Sequence, residues 1–333
     1  MADESAGSPC PGRLTSPSVI ARLLKQKDVR LRRRLGQHFL ADQNIADKVV
    51  EACRATPSSQ VFEIGAGIGT LTVELASLTL RPRPPEGGGQ ARQKSGGQAQ
   101  GSPASGGQAS GSRAGRVVAV EIDQALCAIL EATTAQFANV AILREDIMKL
   151  RLEQALVGRQ KWIVVADLPY YITTPVIFRL LENLRRIRLM VLVVQKEVGE
   201  RIEARPGDRR RGALSVAVQA RCSVERICVV PSTCFFPRPG VDSMTIRLTP
   251  LRRPMLQGAD EAAFRCLVQA SFGRRRKMLL NALQGPPLDL SRQQAAQLLA
   301  ACSIDGTSRA EALDTKDFVA MARSVARVKG EQG

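Results

Sequence analysis

Histidine is almost absent from this chain: His38 is the only one in 333 residues. The eight cysteines are scattered, and none forms a C-x-x-C pair. Together these shortages exclude the closely spaced ligands of a structural zinc site, so no metal is expected. Scattered cysteines in a chain this long fit buried thiols in a reducing compartment, which predicts a cytoplasmic protein. Aromatic residues make up only 4%, with two tyrosines and one tryptophan. No apolar run approaches the roughly 18 residues of a membrane span, so no segment is expected to cross a membrane. The N-terminus lacks the apolar segment and small-residue cleavage site of a secretory signal. Residues 13–35 are basic enough to mimic a transit segment, but Asp3, Glu4 and Asp28 count against that reading. Acidic residues are outnumbered, 31 against 48 Lys and Arg, for a net charge of +17. Such an excess predicts a polyanionic partner, either nucleic acid or an anionic membrane surface.

The remaining composition is that of a globular protein, 44% hydrophobic. The length suggests about two domains. Residues 1–18 read as a disordered tail, although a short amphipathic helix is predicted over 17–26. Asp42 is placed to cap a helix over 43–54, where Ile45, Val49 and Val50 share a face. Apolar strands are predicted at 61–64, 117–121, 140–143, 162–166 and 189–195, with helical patterns between them. That alternation predicts a parallel sheet covered on both faces. Two further strands are expected near 215–230 and 241–248. From about residue 254 the strand signals stop, and helices are predicted over 260–283, 291–301 and 315–328.

One segment breaks the pattern. Residues 81–115 hold no aliphatic side chain larger than alanine and no aromatic, and Gly-Gly-Gln-Ala recurs at 88, 96 and 106. Such a composition cannot bury enough apolar surface to offset its ordering entropy. It reads as a disordered surface insertion, with weak RNA binding as the alternative to a tolerated loop expansion.

The chemistry concentrates at strand ends. After the strand at 61–64 comes Gly65-Ala66-Gly67-Ile68-Gly69, whose glycines let the backbone approach a ligand. Glu121 ends the next strand, where a carboxylate can accept hydrogen bonds from ribose hydroxyls. The expected spacing is about 20 residues. The raw spacing of 121 − 65 = 56 falls to 21 once the 35-residue insertion is removed. Asp146 follows the third strand and is placed to bind an adenine amino group. The turn lacks the full G-x-G-x-x-G of dinucleotide binders, which leaves NAD and S-adenosylmethionine to be separated by the next motif.

Asp167-Leu168-Pro169-Tyr170 matches the [Asp/Asn/Ser]-x-Pro-[Tyr/Phe] pattern of enzymes that methylate exocyclic amines. An aryl amino nitrogen is a poor nucleophile because its lone pair is delocalised into the ring. Acceptors at Asp167 and at the Leu168 carbonyl can hold the N–H groups, steer the lone pair, and stabilise the charge that develops on nitrogen. Pro169 fixes the turn, and Tyr170 can stack on a base taken out of its helix. Both tyrosines of the chain, Tyr170 and Tyr171, fall here.

On these stretches the chain resembles the KsgA/RsmA family of ribosomal RNA adenine dimethyltransferases. The matches are LGQHFL at 35–40, FEIGAGIGT at 62–70, VEID at 120–123, Glu145-Asp146 and ADLPYYITTP at 166–175. They continue with VQKEVGER at 194–201, FFPRPGVDS at 235–243, SFGRRRKMLLNAL at 271–283 and RAEAL at 309–313. The resemblance implies a Rossmann-like, seven-stranded α/β methyltransferase domain over 19–252 and a small all-helical domain over 253–333. It implies S-adenosylmethionine contacts at His38, Leu40, Gly65, Glu121, Asp146 and Asp167, to which the glycine turn adds Gly67. It implies that Tyr170 and Phe236 sandwich the target adenine. The implied substrate is a pair of adjacent adenines in the 3′-terminal hairpin of small-subunit rRNA, within an assembling small subunit, each dimethylated by a monomeric enzyme. The family usually has asparagine where this chain has Asp167, and frequently asparagine where it has Tyr171.

Basic clusters at Arg30, Arg32, Arg33 and Arg34, at Arg205, Arg209, Arg210 and Arg211, and at Arg274, Arg275, Arg276 and Lys277 are expected to contact phosphates. Two other readings stand beside this one: a large-subunit adenine methyltransferase of the Erm type, and a non-catalytic assembly factor that keeps the basic patches.

Overall fold

Apolar strands alternating with amphipathic helices set the order of elements along the chain. A computed structural model describes residues 13–29, 31, 36–80, 115–256, 258, 260–274 and 276–330. The disordered insertion expected at 81–115 lies outside the described residues, apart from Gly115. So does most of the N-terminal tail. That tail ends earlier than expected, because Leu14 and Thr15 are already buried and helix α1 starts at Pro17 (Pro17–Gln26), burying Ile20 and Leu24.

The short strand β1 (Phe39–Leu40) leads into α2 (Gln43–Ala52). The Asp42 carboxylate caps α2 by accepting from the Ile45 N–H at 3.0 Å. Then follow β2 (Gln60–Ile64), α3 (Thr70–Leu80), β3 (Arg116–Glu121), α4 (Gln124–Thr134), β4 (Val140–Arg144), α5 (Leu152–Ala155), β5 (Trp162–Asp167), α6 (Thr173–Glu182), β6 (Ile187–Gln195) and α7 (Lys196–Glu203). Helix α8 (Ala213–Gln219) precedes β7 (Cys222–Val230), β8 (Phe235–Phe236) and β9 (Ser243–Pro250). Helices α9 (Asp260–Gly273), α10 (Leu279–Ala282), α11 (Arg292–Ala301) and α12 (Thr315–Gly330) complete the chain.

Seven strands form one sheet in the order β4-β3-β2-β5-β6-β9-β7. Strands β2 to β6 pair in parallel, whereas β9 runs antiparallel to both β6 and β7. The chain builds outward from β2 to β4, then returns to β5 on the other side of β2. That reversal opens a crevice beyond the carboxyl ends of β2 and β5. The α3-to-β3 connection, where the insertion is rooted between Leu80 and Gly115, enters β3 at its opposite end.

Two predicted boundaries are corrected. Residues 213–219 form a helix rather than the start of a strand. The run Ala-Leu-Ser-Val-Ala-Val-Gln is apolar almost all round, and Leu214 to Val218 are all buried, so its periodicity cannot distinguish helix from strand. The expected helix over 260–283 is broken. It stops at Gly273, and the chain is re-anchored where the Leu279 N–H donates to the Ser308 carbonyl at 2.8 Å and Leu280 N–H to Gly306 at 3.1 Å.

Helices α9 to α12 surround their own core, in which Phe272 stacks on Phe318 with centroids 5.6 Å apart. Val216 and Ala220, at α8, belong to the same core. The seam between this core and the sheet is closed by Arg211, which is completely buried. Its guanidinium donates to the Ala204 carbonyl at 2.7 Å, the Leu313 carbonyl at 3.2 Å, Gln219 Oε1 at 2.7 Å and Thr315 Oγ1 at 2.8 Å. The expectation that Arg211 contacts RNA is therefore wrong. It is a structural tie, since a buried cation is tolerated only with its donors satisfied.

Replacing Arg211 by Ala should cost on the order of 3 kcal/mol in urea unfolding, because four acceptors at the seam each lose a donor at once. Replacing its exposed neighbour Arg210 by Ala should change stability by no more than about 0.5 kcal/mol.

Candidate active site

The strand register assembles the site. In parallel pairing Ile64 lies opposite Val120 on one side and Ala166 on the other. The next residue of each strand's run, Gly65 just after β2 and Glu121 and Asp167 at the ends of β3 and β5, is thereby brought to one edge. The offset between β2 and β3 partners, 116 − 60 = 56, equals the raw spacing from Gly65 to Glu121. The glycine turn is tight. Gly65 and Gly67 have φ of +75° and +56°, and a Cβ on Gly65 would lie 3.0 Å from the Asp167 carbonyl oxygen. Any other residue there would be strained and would push β5 away.

Glu121 holds the turn. Its Oε2 accepts from the Gly67 N–H at 2.9 Å, and its Oε1 accepts from the Ile122 and Asp123 N–H groups, each at 2.9 Å. Burial raises its carboxyl above the usual range, while these three donors oppose the shift. A carboxylate offers about four acceptor positions, so Oε2 keeps a lone pair for a ligand. Asp146 is oriented by the Met148 N–H, which donates to Oδ1 at 2.8 Å.

The lip of the crevice comes from outside the main sheet. Strands β1 and β8 pair antiparallel, with Phe39 opposite Phe236 and Leu40 opposite Phe235. His38 Nδ1 lies 2.7 Å from the Pro237 carbonyl oxygen. A carbonyl only accepts, so Nδ1 carries a proton and is the donor in this contact. The His38 and Tyr170 rings stack with centroids 6.0 Å apart.

These parts enclose a cleft of ≈ 330 Å³, within the range of small-ligand sites. His38, Leu40, Gly65, Gly67, Glu121, Asp146, Asp167 and Pro169 all line it. Leu168 is buried beneath, with its N–H donating to the Val193 carbonyl at 3.2 Å. The lining carboxylates are Glu63, Glu121, Glu145, Asp146 and Asp167, and no Lys or Arg lines the cleft among the described residues. Burial pushes the Asp167 carboxyl up to about 7.

The two tyrosines separate. Tyr170 is half-buried, its hydroxyl 3.4 Å from Ser243 Oγ, whereas Tyr171 lines the cleft and is 55% exposed. Sequence reasoning passed over Tyr171 as a lining residue, and with it Gln37, Ile122 and Glu63. Ile122 is 53% exposed at the cleft wall, an apolar surface offered to solvent. Glu63 carried a usable signal: a single acid inside an otherwise apolar strand, Val61-Phe62-Glu63-Ile64.

The basic residues are less uniform than their clustering suggested. Arg209, Arg274, Arg276 and Lys277 are exposed. Arg210 is exposed but paired with Asp208 at 2.8 Å and Glu200 at 3.1 Å. Arg30, Arg32, Arg33, Arg34 and Arg275 lie outside the described residues.

Comparison with known proteins places this geometry. Residues 28–81 and 109–327 match the family described as ribosomal RNA adenine dimethylase. The chain belongs to that family. The unmatched gap, 82–108, falls within the low-complexity segment. Ribosomal RNA small subunit methyltransferase A of Alkaliphilus metalliredigens is 34% identical over 317 residues, covering 94% of this chain and 98% of that protein. The protein of the same name from Moorella thermoacetica is 36% identical over 320 residues, with 94% and 98% covered. Among solved structures, a dimethyladenosine transferase from Plasmodium falciparum superposes with a TM-score of 0.66 at 22% identity, over 87% of this chain and 97% of that one. The 23S rRNA methyltransferase ErmE superposes with 0.60 at 21% identity, over 86% and 98%. Both share the fold of this member of the family.

Glu121→Gln should lower affinity for S-adenosylmethionine at least tenfold in calorimetric titration. Its amide replaces one acceptor oxygen by a donor, facing either a backbone N–H or the ribose. Unchanged affinity in a folded variant would remove Glu121 from the binding site.

Proposed function

We propose that this chain uses S-adenosylmethionine to dimethylate N6 of two adjacent adenines in the 3′-terminal hairpin of small-subunit rRNA. It works as a cytoplasmic monomer on the assembling small subunit. The observation that carries this reading is the junction of an acid-lined cleft with the Asp167-Leu168-Pro169-Tyr170 turn at the carboxyl edge of the sheet. The cleft's charge decides between the two nucleotide cofactors that its glycine turn could serve. NAD carries a pyrophosphate, to which a cleft lined by five acids and by no Lys or Arg among the described residues offers no counter-charge, whereas S-adenosylmethionine carries a sulfonium and an ammonium cation. When bound, that cofactor supplies an electrophilic methyl group.

The protein's own residues do the rest. Glu121 Oε2 accepts from a ribose hydroxyl, and Asp146 accepts from the adenine amino group of the cofactor. Asp167 and the Leu168 carbonyl accept from the N–H groups of the target amine, keeping its lone pair directed at the methyl carbon. An ionised Asp167 also stabilises the positive charge that develops on that nitrogen. Each transfer replaces an N–H by N–CH3 and releases one proton, which the Asp167 carboxylate can take. Tyr170 and Phe236 hold the base by its faces, and the exposed Arg209, Arg274, Arg276 and Lys277 meet phosphates at a distance from the chemistry.

The fold does not separate this substrate from the large-subunit RNA of the Erm type, since both structural neighbours superpose closely. The names of relatives sharing 34–36% identity along almost the whole chain favour the small subunit.

The test is methyl transfer to small subunits that lack the modification, followed by mass spectrometry of the digested rRNA. Dimethyladenosine is the expected product. Because burial pushes Asp167 up to about 7, kcat/KM should rise as pH passes through 7, and Asp167→Asn should flatten that rise. The stability effect has the opposite sign. A carboxyl raised above its unfolded value costs stability as pH increases, so the asparagine variant should gain in Tm over wild type above pH 7 and not near pH 4. No transfer, with salt-sensitive RNA binding retained, would favour the non-catalytic assembly factor. Deleting 82–108, which the family match skips, should leave activity within a few-fold, because the segment is rooted at the edge of β3 opposite the cleft.

A further inference from the structure

The mechanism above leaves one buried acid of the cleft unused. Glu63 sits in the middle of the sheet, opposite Ala119 of β3 and Val165 of β5. It is 2% exposed to solvent and lines the cleft. Thr72 of α3 donates its hydroxyl to Glu63 Oε2 at 2.6 Å, and no compensating cation acts on the carboxyl among the described residues. The charged groups that act on it are acids: Glu121 from β3 and Asp167 from β5. Just beyond α2, the buried Cys53 thiol feels Glu63, and burial pushes that thiol up to about 12. Arg188 and Arg247 act on that thiol and oppose its shift.

We propose that Glu63 is a charge-responsive positioning residue of the cofactor cleft. It is neutral while the cleft holds no sulfonium, gives up its proton when the sulfonium of S-adenosylmethionine enters, and takes a proton back once that sulfur has become a neutral thioether. The inference rests on the cofactor assignment made above. Burial and the two like charges push Glu63 up to about 8, against the hydrogen bond from Thr72. An opposite charge within ~4–6 Å of a carboxyl favours its ionised form, and the cleft wall supplies no competing cation among the described residues.

The proton count closes. On binding, the Glu63 carboxylic acid becomes a carboxylate and one proton goes to solvent, as one positive charge enters. On transfer, the S–CH3 bond breaks and the N–CH3 bond forms. The amine gives up one proton as the sulfonium becomes a thioether, and Glu63 is protonated again. Over the cycle one proton is released per methyl group, as the chemistry requires. The benefit is discrimination. An acid that ionises only for the sulfonium favours the methyl-bearing cofactor over the spent one, which keeps its ammonium but has lost the sulfonium charge. An enzyme that must exchange product for fresh cofactor between successive methylations gains from that difference.

The experiment is calorimetric titration of the full-length protein at pH 7.5 with S-adenosylmethionine, and separately with S-adenosylhomocysteine, in two buffers of different ionisation enthalpy. The slope of heat against buffer enthalpy gives the protons released. Wild type should release well over half a proton with the sulfonium ligand and essentially none with the thioether. Glu63→Gln, which keeps an acceptor for Thr72, should lose that release and lose part of its preference for the sulfonium over the thioether. Asp167→Asn should keep the release. Thr72→Val, which removes the donor to the carboxylate, should move the midpoint of the release to higher pH and provides the test if Glu63→Gln does not fold. Equal proton counts for the two ligands in wild type would overturn the proposal. So would a release that survives in Glu63→Gln and vanishes in Asp167→Asn, or an unmoved midpoint in Thr72→Val. Failure of either ligand to bind the folded wild type would instead overturn the cofactor assignment itself.

Discussion

The parallel register of β2 against β3 and β5 is the constraint on which the site depends. It sets Ile64 beside Val120 and Ala166, and so delivers a glycine turn and two carboxylates to one edge without any long-range loop. The turn then has no freedom. Glu121 draws in the Gly67, Ile122 and Asp123 N–H groups, and Gly65 leaves room for β5 that a side chain would fill. A one-residue slip of β3 would turn Glu121 to the other face of the sheet and leave those N–H groups unpaired. The requirement for a pre-formed ligand cleft and the requirement for satisfied buried backbone groups thus select the same register.

Much of this was legible in the residues because it is written locally. Strands of four to six apolar residues, a glycine turn and a strand-end acid each leave a short-range signature. The anomalous spacing of 56 resolved once a segment unable to form a core was removed. Other features were not legible because they are settled by packing between distant segments. Nothing in Ala-Leu-Ser-Val-Ala-Val-Gln distinguishes a buried helix from a buried strand, and α8 becomes a helix by joining the core of α9 and α12 on one side and the sheet on the other. The break after Gly273 depends on carbonyls supplied by residues 306 and 308. Of the adjacent tyrosines, only the fold determines which is held against Ser243 and which faces the cleft.

Arg210 and Arg211 show why a run of like charges is a weak guide. They are neighbours in sequence and opposite in environment. Arg210 is exposed beside two acids, while Arg211 is sealed at the junction of α7, α8 and the C-terminal helices. A guanidinium has five donors in a fixed fork, which suits it to phosphate and equally to a set of converging carbonyls. Which use it serves depends on whether acceptors arrive from the rest of the chain, as they do from Ala204 and Leu313.

The distribution of charge has its own logic in the proposed reaction. The chain carries a net charge of +17, yet the cleft it surrounds is lined by carboxylates and by no Lys or Arg among the described residues. A polyanionic strand is therefore drawn to the outside and repelled from the inside. A neutral base can pass that boundary when it leaves its stack, whereas its phosphates meet no counter-charge inside. The same interior that excludes phosphate attracts a sulfonium. Placing acids where the proposed methyl transfer occurs sorts the two ligands by charge before any base-specific contact is made, and it keeps the target nitrogen, rather than a phosphate oxygen, as the nucleophile within reach of the methyl group.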